Sequence, residues 1–418
     1  MIVKRARETN DFSENLSLRQ RSGKYWHLMF LAATIIGILA LSALIINIVN
    51  SVFGYVIMDS KINPSTLAVN GIELEDQSTD QWIQLLQEKL SSGALKKLED
   101  EKPLSERSRK DLFSLIETRV LKYKVLETWS LYDSLFRKSE IVNEYLRVKK
   151  EYPGAQLQFR SWIRGDLIMR SQSSEASTAG IRTAVLGSLW TILFTILFAF
   201  PLGVGAAIYL EEYAKDNWLN RLIQTNINNL AGVPSIIYGI LGLAIFVRAL
   251  EPLTSGALFG FVDPTTANGR TILSAGLTLG LLVLPLVIIN AQEAIRAVPQ
   301  SLRKASYGLG ATKWQTIWAH VLPNALPGIL TGTILAISRA IGETAPLVVV
   351  GASTAITFDP TSPFSKFTTL PIQIYQWTSR PQSEWRHLAA ATIIFLLVLL
   401  LCLNAAAIIL RNRFEKKY

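Results

Sequence analysis

Long apolar runs separated by polar segments dominate the pattern of this chain of 418 residues. A helix needs about 20 mostly apolar residues to cross the hydrocarbon core of a bilayer. Runs of this kind cover residues 26–52, 181–210, 222–250, 271–291, 325–351 and 387–411. The pattern predicts an all-α, polytopic membrane protein with six transmembrane helices.

Basic residues beside these runs predict the orientation, because lysine and arginine are enriched in cytoplasmic loops. On one side of the predicted spans they are frequent: Lys4, Arg5, Arg7, Arg19, Arg21, Lys24, Lys215, Arg221, Arg296, Arg303, Lys304, Lys313, Arg411, Arg413, Lys416 and Lys417. The short loops opposite carry only Arg248, Arg270, Lys366, Arg380 and Arg386. We therefore expect residues 1–25 and 412–418 in the cytoplasm and residues 59–178 outside. The first run exceeds the roughly 7–15 residues of a signal-peptide core, so we expect it to remain as an anchor.

One polar block, residues 59–178, interrupts the apolar runs and carries charges of both signs. Within it, Ser78 and Gln81 have the spacing of a helix capping box. Apolar residues at helical spacing follow them, namely Trp82, Leu85, Leu86 and Leu90. We expect a small, mainly helical external domain, and a partly ordered insert is the alternative.

The formal net charge of +10 is compatible with binding to nucleic acid. However, the basic residues gather beside the apolar runs and do not form one stripe, so they indicate membrane topology. The single cysteine, Cys402, lies inside an apolar run and excludes an internal disulfide.

No motif for covalent chemistry emerges from the sequence. The string GLGATKW at residues 308–314 lacks the spacing and the hydroxyl of a phosphate-binding P-loop. His27, His320 and His387 are scattered, and no cluster has the spacing of metal ligands. We expect a chain that is not an enzyme and binds no metal or cofactor, so its energy has to come from a partner or a gradient.

The loop at residues 292–324 is long and amphipathic for a connection between spans. It is either an interfacial helix on the bilayer or a docking helix for a cytoplasmic partner. Its sequence resembles the permease loop of ABC importers, with the pattern E-A-A-x3-G-x9-I-x-L-P. The matching positions are Lys304, Ala305, Ser306, Gly310, His320, Leu322 and Pro323. Lysine replaces the first glutamate, and histidine replaces the isoleucine.

That resemblance implies that the loop forms a coupling helix seated in a cleft of an ATPase subunit. The residues implied in this contact are Lys304, Ala305, Ser306, Gly308, Gly310, Ala311, Leu322 and Pro323. Most of them are small and would permit close approach. Glu211 and Glu212 close the second span, and they either contact the same partner or lie in solvent.

An ordered set of strings narrows the resemblance. AGIRTAVLGSLW, FPLGVGAAIYLEEYA, NNLAGVPSIIYGILGLAIFV, LTLGLLVLPLVI, GATKWQTI and SRAIGETAPL resemble the PstA family of phosphate-importer permeases across residues 179–411. The family implies a type I, MetI-like permease core in the bacterial inner membrane. It also implies a sister permease PstC, two copies of the ATPase PstB that bind ATP and Mg, and an external phosphate-binding protein PstS. The long polar block departs from shorter members of the family.

Two charges inside the fifth predicted span need an explanation. Arg339 and Glu343 are four residues apart and share one helix face. Each ionised group costs about 2.5–3.5 kcal/mol on insertion into hydrocarbon. One interpretation is a buried ion pair that clamps helices together.

The other interpretation places Arg339 on a substrate path, where a guanidinium can hold phosphate oxygens in a bidentate manner. Glu343 would hold Arg339 when the path is empty. Ser338 and Thr344 supply hydroxyls, and Gly342 with Pro346 interrupts the helix. In the PstA family the matching arginine and glutamate are the charges implicated in translocation.

Three functions compete at this point. The first is the permease subunit of an ATP-driven phosphate importer. The second is an ABC permease for another oxyanion, such as molybdate, sulfate or phosphonate. The third is a membrane-anchored sensor whose receptor domain is the block 59–178, which leaves the loop and the membrane charges unexplained.

Overall fold

The structure is a computed structural model that describes residues 2–414, except 61, 63, 69–71, 102, 108, 122, 174, 177, 262–267, 353–355 and 357–358. Part of the predicted cytoplasmic tail, residues 415–418, lies outside the described residues. Helix predominates throughout, as the sequence predicts.

In chain order the α-helices are α1 Ile2–Val52, α2 Thr79–Lys89, α3 Ser92–Glu101, α4 Arg109–Leu115, α5 Leu131–Phe136, α6 Lys138–Glu151, α7 Gly165–Met169, α8 Arg182–Ile208, α9 Trp218–Ala231, α10 Ser235–Gly242, α11 Glu251–Thr254, α12 Ile272–Arg296, α13 Gln300–Gly308, α14 Lys313–Thr316, α15 Leu322–Gly342, α16 Ala345–Val350, α17 Leu370–Thr378 and α18 Ser383–Phe414. The strands are β1 Phe53–Asp59, β2 Lys124–Thr128 and β3 Gln156–Ser161. Short π-helical turns extend α8, α10 and α14, at Tyr209–Tyr213, Leu243–Ala249 and Ile317–Val321.

Five helical segments of the described chain are long and apolar enough to cross a membrane. They are Arg19–Val52, Arg182–Tyr213, Ile272–Arg296, Lys313–Gly342 and Ser383–Arg413. A sixth candidate consists of two pieces, Trp218–Ala231 and Ser235–Ala249, which meet at an angle of 106°. The six predicted spans are therefore present when the bent pair is taken as one span.

The prediction of one continuous helix over residues 222–250 is wrong. α9 ends at Ala231, and α10 starts at Ser235 with Pro234 as its N-cap at a φ of −55°. Proline has no backbone N–H and clashes with the preceding turn, and it also biases the residue before it away from helical geometry. Pro234 thus separates two helices that the apolar pattern alone joins.

Close contacts at glycines bind the central helices to one another. A Cβ added at Gly276 would lie 2.6 Å from Phe194, and one at Gly203 would lie 2.7 Å from Val287. These contacts run in the same direction along α8 and α12, so the two helices are parallel neighbours. α15 is antiparallel to α12, because Gly332 and Gly328 approach Asn290 and Ala294.

The polar block at residues 59–178, the insert, is helical as predicted but also contains a sheet that the sequence analysis missed. β1 follows α1 without a break and pairs antiparallel with β2 on one side and β3 on the other. The capping box of Ser78 and Gln81 is confirmed, with both reciprocal bonds formed at the start of α2.

Two apolar cores hold the insert. One core contains Trp82, Leu86 and Leu112 and lies within residues 60–123. We call these residues the distal lobe. The other packs Trp162 against the end of α1 and against α17 and α18. His387 of α18 contacts the carbonyl of Ser51 and lies 2.9 Å from the Thr128 hydroxyl, and its ring stacks on Trp162.

The helix ends form two groups. The insert end holds the insert, the end of α1 and the starts of α8, α12 and α18. The loop end, opposite to it, holds residues 292–324 and the ends of α8 and α12.

Candidate functional site

The helix that carries Arg339 breaks where Pro346 predicts an interruption. α15 ends at Gly342, Glu343 takes an extended conformation with a ψ of 118°, and α16 begins at Ala345. Pro346 has no N–H to donate to the carbonyl of Gly342, so the regular hydrogen-bond ladder cannot continue through this point. The break is therefore a consequence of the local sequence.

Arg339 and Glu343 form an ion pair across this break. The distance from Arg339 Nε to Glu343 Oε1 is 3.4 Å, and 52% of the arginine side chain is exposed against 18% of the glutamate. Charge-assisted bonds of good geometry are about 2.7–2.9 Å long, so this pair is loose. About half of the Arg339 side chain is exposed beside the chain, which does not fit a buried clamp inside this chain.

The other predicted substrate-path residues divide between the break and its surroundings. Gly342 is exposed, and a Cβ there would meet no atom within 4 Å. Thr344 is half-buried in the break itself. Ser338 instead faces α18, with its hydroxyl 2.8 Å from the Ile334 carbonyl and 2.5 Å from Asn404 Oδ1.

Pro346 is buried and fixes the position of α16 against α10. A Cβ added at Gly239 would lie 2.7 Å from Pro346 Cα, so only glycine permits this approach. One turn further along α10, a Cβ at Gly242 would overlap the side chain of Thr278 on α12. The break is thus packed, through α10, against the central helix α12.

The loop at residues 292–324 folds as two short helices joined by a tight turn. α13 ends in a Schellman motif, in which Ala311 N–H donates to Ser306 O and Gly310 N–H donates to Tyr307 O. Gly310 has a φ of +81°, which side chains of L-residues disfavour. A Cβ at Gly310 would meet no atom within 4 Å, so crowding by neighbours is not the reason for glycine here. The positive φ is the reason.

The predicted docking residues are mostly, but not all, on the open face of the loop. The exposed members are Lys304, Ala305, Gly308 and Gly310, while Ala311, Leu322 and Pro323 are half-buried. Ser306 is buried, and its hydroxyl lies 2.9 Å from that of Thr316. Leu309, which the sequence analysis did not select, is 90% exposed at the tip of the turn.

The sequence offered two interpretations of Glu211 and Glu212, contact with the ATPase partner or exposure to solvent. Neither describes the contacts that these residues make in the structure. Glu212 pairs with Arg303 at 2.8 Å, and these side chains are only 7% and 13% exposed. Glu211 pairs with Arg296 at 2.5 Å, with the arginine 69% exposed. Both glutamates therefore tie the π-helical turn after α8 to the loop within this chain.

No group of three or more His, Cys, Asp or Glu side chains is arranged to hold a metal ion in the part of the chain that the structure describes. The chemistry available at the break is that of one arginine, one carboxylate and nearby hydroxyls. Such a set can bind and release an anion.

Comparison with known proteins identifies the family to which the chain belongs. A family model described as "Binding-protein-dependent transport system inner membrane component" matches residues 199–418, which include the break and the loop and exclude the insert. The probable ABC transporter permease protein YqgI of Bacillus subtilis is 34% identical over 218 residues, covering 52% of this chain and 68% of that protein. The phosphate transport system permease protein PstA of Yersinia pestis is 34% identical over 239 residues, covering 57% and 73%.

A solved structure of the inward-facing MetNI methionine ABC transporter aligns with a TM-score of 0.43 at 19% identity, covering 56% of this chain and 98% of that one. The family match spans more than half of the 418 residues. The chain belongs to the binding-protein-dependent transport system inner membrane component family, the permease subunits of ABC importers.

Proposed function

We propose that this chain is the PstA-type permease subunit of an ATP-driven importer of inorganic phosphate. The observation that carries the proposal is the guanidinium of Arg339, which lies half exposed at a break in an apolar helix. Its one bond in the described part of the chain is the 3.4 Å contact with Glu343. The similarity to phosphate transport permeases supports phosphate as the anion.

The chemistry of the break fits a site that binds an oxyanion and then releases it. A guanidinium remains charged at every relevant pH and offers paired donors that match two phosphate oxygens. Phosphate would displace the weak bond from Glu343, and the nearby carboxylate would then repel the bound anion. The displaced carboxylate returns to Arg339 after release, so neither charge is left without a partner.

The energy would come from a partner, since the sequence carries no P-loop. We assign the exposed face of α13 and the tip at Leu309 to contact with the ATPase PstB, present in two copies that bind ATP and Mg. The sister permease PstC would face the exposed side of Arg339 and complete the path. The external protein PstS would deliver phosphate at the insert end.

The orientation follows from the same proposal. The loop end and both termini lie in the cytoplasm, where the basic residues are concentrated. Residues 59–178 lie outside, above the end of α1 and the starts of α8 and α18. The protein is a multi-pass component of the bacterial inner membrane in this arrangement.

The test is uptake by the four-component complex reconstituted in proteoliposomes with ATP inside the vesicles. We expect uptake of radiolabelled phosphate that excess unlabelled phosphate abolishes, and that sulfate, molybdate and phosphonate leave largely unchanged. Arg339→Gln should abolish uptake in a complex that still assembles. Arg411→Gln is the matched control, because Arg411 lies near the same helix at the loop end, 3.5 Å from Thr331.

Uptake of sulfate or molybdate in place of phosphate would assign the path to another oxyanion. Wild-type uptake by Arg339→Gln would remove Arg339 from the path. Ligand-dependent signalling without any uptake would favour a sensor.

A further inference from the structure

We propose that Arg303 and Glu212 are positioning residues that transmit the movement of α13 to the transmembrane helices. This inference rests on the proposed function, because it assigns the mechanical link between the ATPase contact and the path. It concerns residues that lie away from both the substrate break and the exposed tip of the loop.

The side chain of Arg303 joins three elements. From α13, its Nε and Nη2 donate to Glu212 Oε1 at 3.1 and 2.8 Å. Its Nη2 also donates to the carbonyl of Ile295 in the last turn of α12, at 2.8 Å, and its Nη1 donates to the carbonyl of Val298 at 2.6 Å. Glu212 belongs to the π-helical turn that ends α8, so one guanidinium holds α13, α12 and α8 together.

Burial makes this link firm. Arg303 is 13% exposed and Glu212 is 7% exposed, so neither charge can exchange its partner for water at low cost. A lysine in place of Arg303 would present one compact charge and could not reproduce the planar fork that reaches all of these acceptors. The link therefore depends on an arginine at this position.

The two helices that Arg303 holds behave as one body. α8 and α12 contact each other closely over their middle turns, at Gly203, Gly276 and Gly280. A close-packed interface of this kind transmits displacement because it has no free volume in which to absorb it. A shift of α13 that pulls on Glu212 and Ile295 moves both helices.

A continuous series of close contacts leads from this body to the substrate break. Thr278 of α12 fills the space beside Gly242 of α10, and Gly239 of α10 lies against Pro346 of α16. Pro346 is three residues from Glu343, so a displacement of α12 arrives at the carboxylate that holds Arg339. The geometry thus connects the loop end to the loose ion pair through packed helices and the short break before α16.

A second ion pair provides a matched control. Arg296 and Glu211 join the same two helix ends at 2.5 Å, but Arg296 is 69% exposed. Water can replace the bonds of such an exposed side chain, so Arg296→Gln should leave transmission nearly intact. Lys313, which lies 5.1 Å above the ring of Tyr213, adds a third and weaker contact to the same turn.

The experiment compares phosphate transported per ATP hydrolysed in the reconstituted complex. The variants are Arg303→Met, Arg303→Lys, the double variant Arg303→Met with Glu212→Leu, and Arg296→Gln. We expect the ratio to fall by about tenfold for Arg303→Met, since allosteric couplings typically amount to 5–150-fold. Arg303→Lys should lie between Arg303→Met and the wild type.

The double variant protects the test against misfolding, because it leaves no unpaired buried charge. It should assemble and hydrolyse ATP yet remain uncoupled. A wild-type ratio in both Arg303→Met and the double variant would overturn the inference. So would a parallel loss of hydrolysis and transport at an unchanged ratio, which indicates a structural role alone.

A second readout does not depend on phosphate. ATP binding to the wild-type complex should change the amide hydrogen exchange of Tyr209–Tyr213, and Arg303→Met should confine the change to α13. Absence of phosphate uptake by the wild type would refute the proposed function, while this readout would still decide the inference. An ATP-induced change that reaches Tyr209–Tyr213 equally in both proteins would overturn it.

Discussion

The Arg339–Glu343 pair and the Arg303–Glu212 pair bring together the same two kinds of side chain in opposite ways. The first joins the last turn of α15 to Glu343 in the break that follows it, at 3.4 Å, and leaves half of the arginine exposed. The second joins elements 91 residues apart at 2.8 Å and is almost fully buried. A loose pair can open for a competing anion, whereas a tight pair with extra carbonyl acceptors resists opening. The same two kinds of side chain thus form a loose contact at the helix break and a tight attachment at the loop.

The largest effect is expected from a substitution that breaks the Arg303–Glu212 pair and leaves the Arg339–Glu343 pair intact. Glu212→Ala leaves the buried Arg303 without its carboxylate, and breaking a buried ion pair costs about 3–5 kcal/mol. Glu343→Ala should cost about 0.5 kcal/mol or less, because i,i+4 pairs contribute little. Thermal unfolding of the purified protein in detergent measures both. Equal shifts in Tm for the two variants would refute the contrast.

A second change disturbs the break without touching either charge. Gly239→Ala introduces a Cβ only 2.7 Å from Pro346 Cα, and overpacking of this kind costs about 1–3 kcal/mol. We expect reduced phosphate uptake together with a lower Tm.

Gly205→Ala is the matched control for this change. A Cβ at Gly205 would meet no atom within 4 Å, so the substitution should leave Tm unchanged or raise stability by up to about 1 kcal/mol. If the Gly239→Ala protein is as stable as the Gly205→Ala protein, the backbone at Pro346 shifts at little cost in free energy, and the expected overpacking is refuted.

A smaller effect tests the loop that holds the tight pair. Gly310→Ala forces a Cβ onto a residue with a φ of +81°, at a cost of about 1–2 kcal/mol. The turn should loosen, and co-purification with the ATPase subunit should decrease. Gly205→Ala, which has helical geometry and open space around it in α8 and lies outside the loop, should bind the ATPase normally. Identical retention of the ATPase by both variants would exclude a role for the turn geometry.

The smallest effect concerns the distal lobe, which contacts neither pair. Asp59 and Lys124 are partners in the β1–β2 ladder, so a two-residue Asn-Gly hairpin can replace residues 60–123. We expect membrane insertion, Tm and the properties of both ion pairs to remain close to those of the full chain. Loss of insertion would show that the lobe supports the spans.

The sequence predicted those features that depend on composition or local spacing. The length of the apolar runs predicted the spans, and the capping box predicted the start of α2. Pro346 predicted the break in the helix beside Arg339. The bend at Pro234 was missed because the amphipathic α9 and the apolar α10 together have the length of one span. β1 was missed because it is short, directly follows α1 and pairs with strands far along the chain.

Long-range partners could not be read from the sequence at all. Glu212 and Arg303 have no spacing that relates them, and their pairing depends on the parallel packing of α8 and α12. Gly310 was selected as a small contact residue, whereas its backbone conformation is the reason for glycine. Ser338 was assigned to the path, although its partner Asn404 lies in another helix.

The shared core of α1, β1 and α18 has a consequence for how the chain is made. The first helix is synthesised long before the last, yet Ser51 and Trp162 find their partner His387 only when α18 has been inserted. The sheet can form early, but its contact with α18 has to wait until that helix has been synthesised. Completion of this one core therefore marks the moment at which α1 and α18 are fastened together.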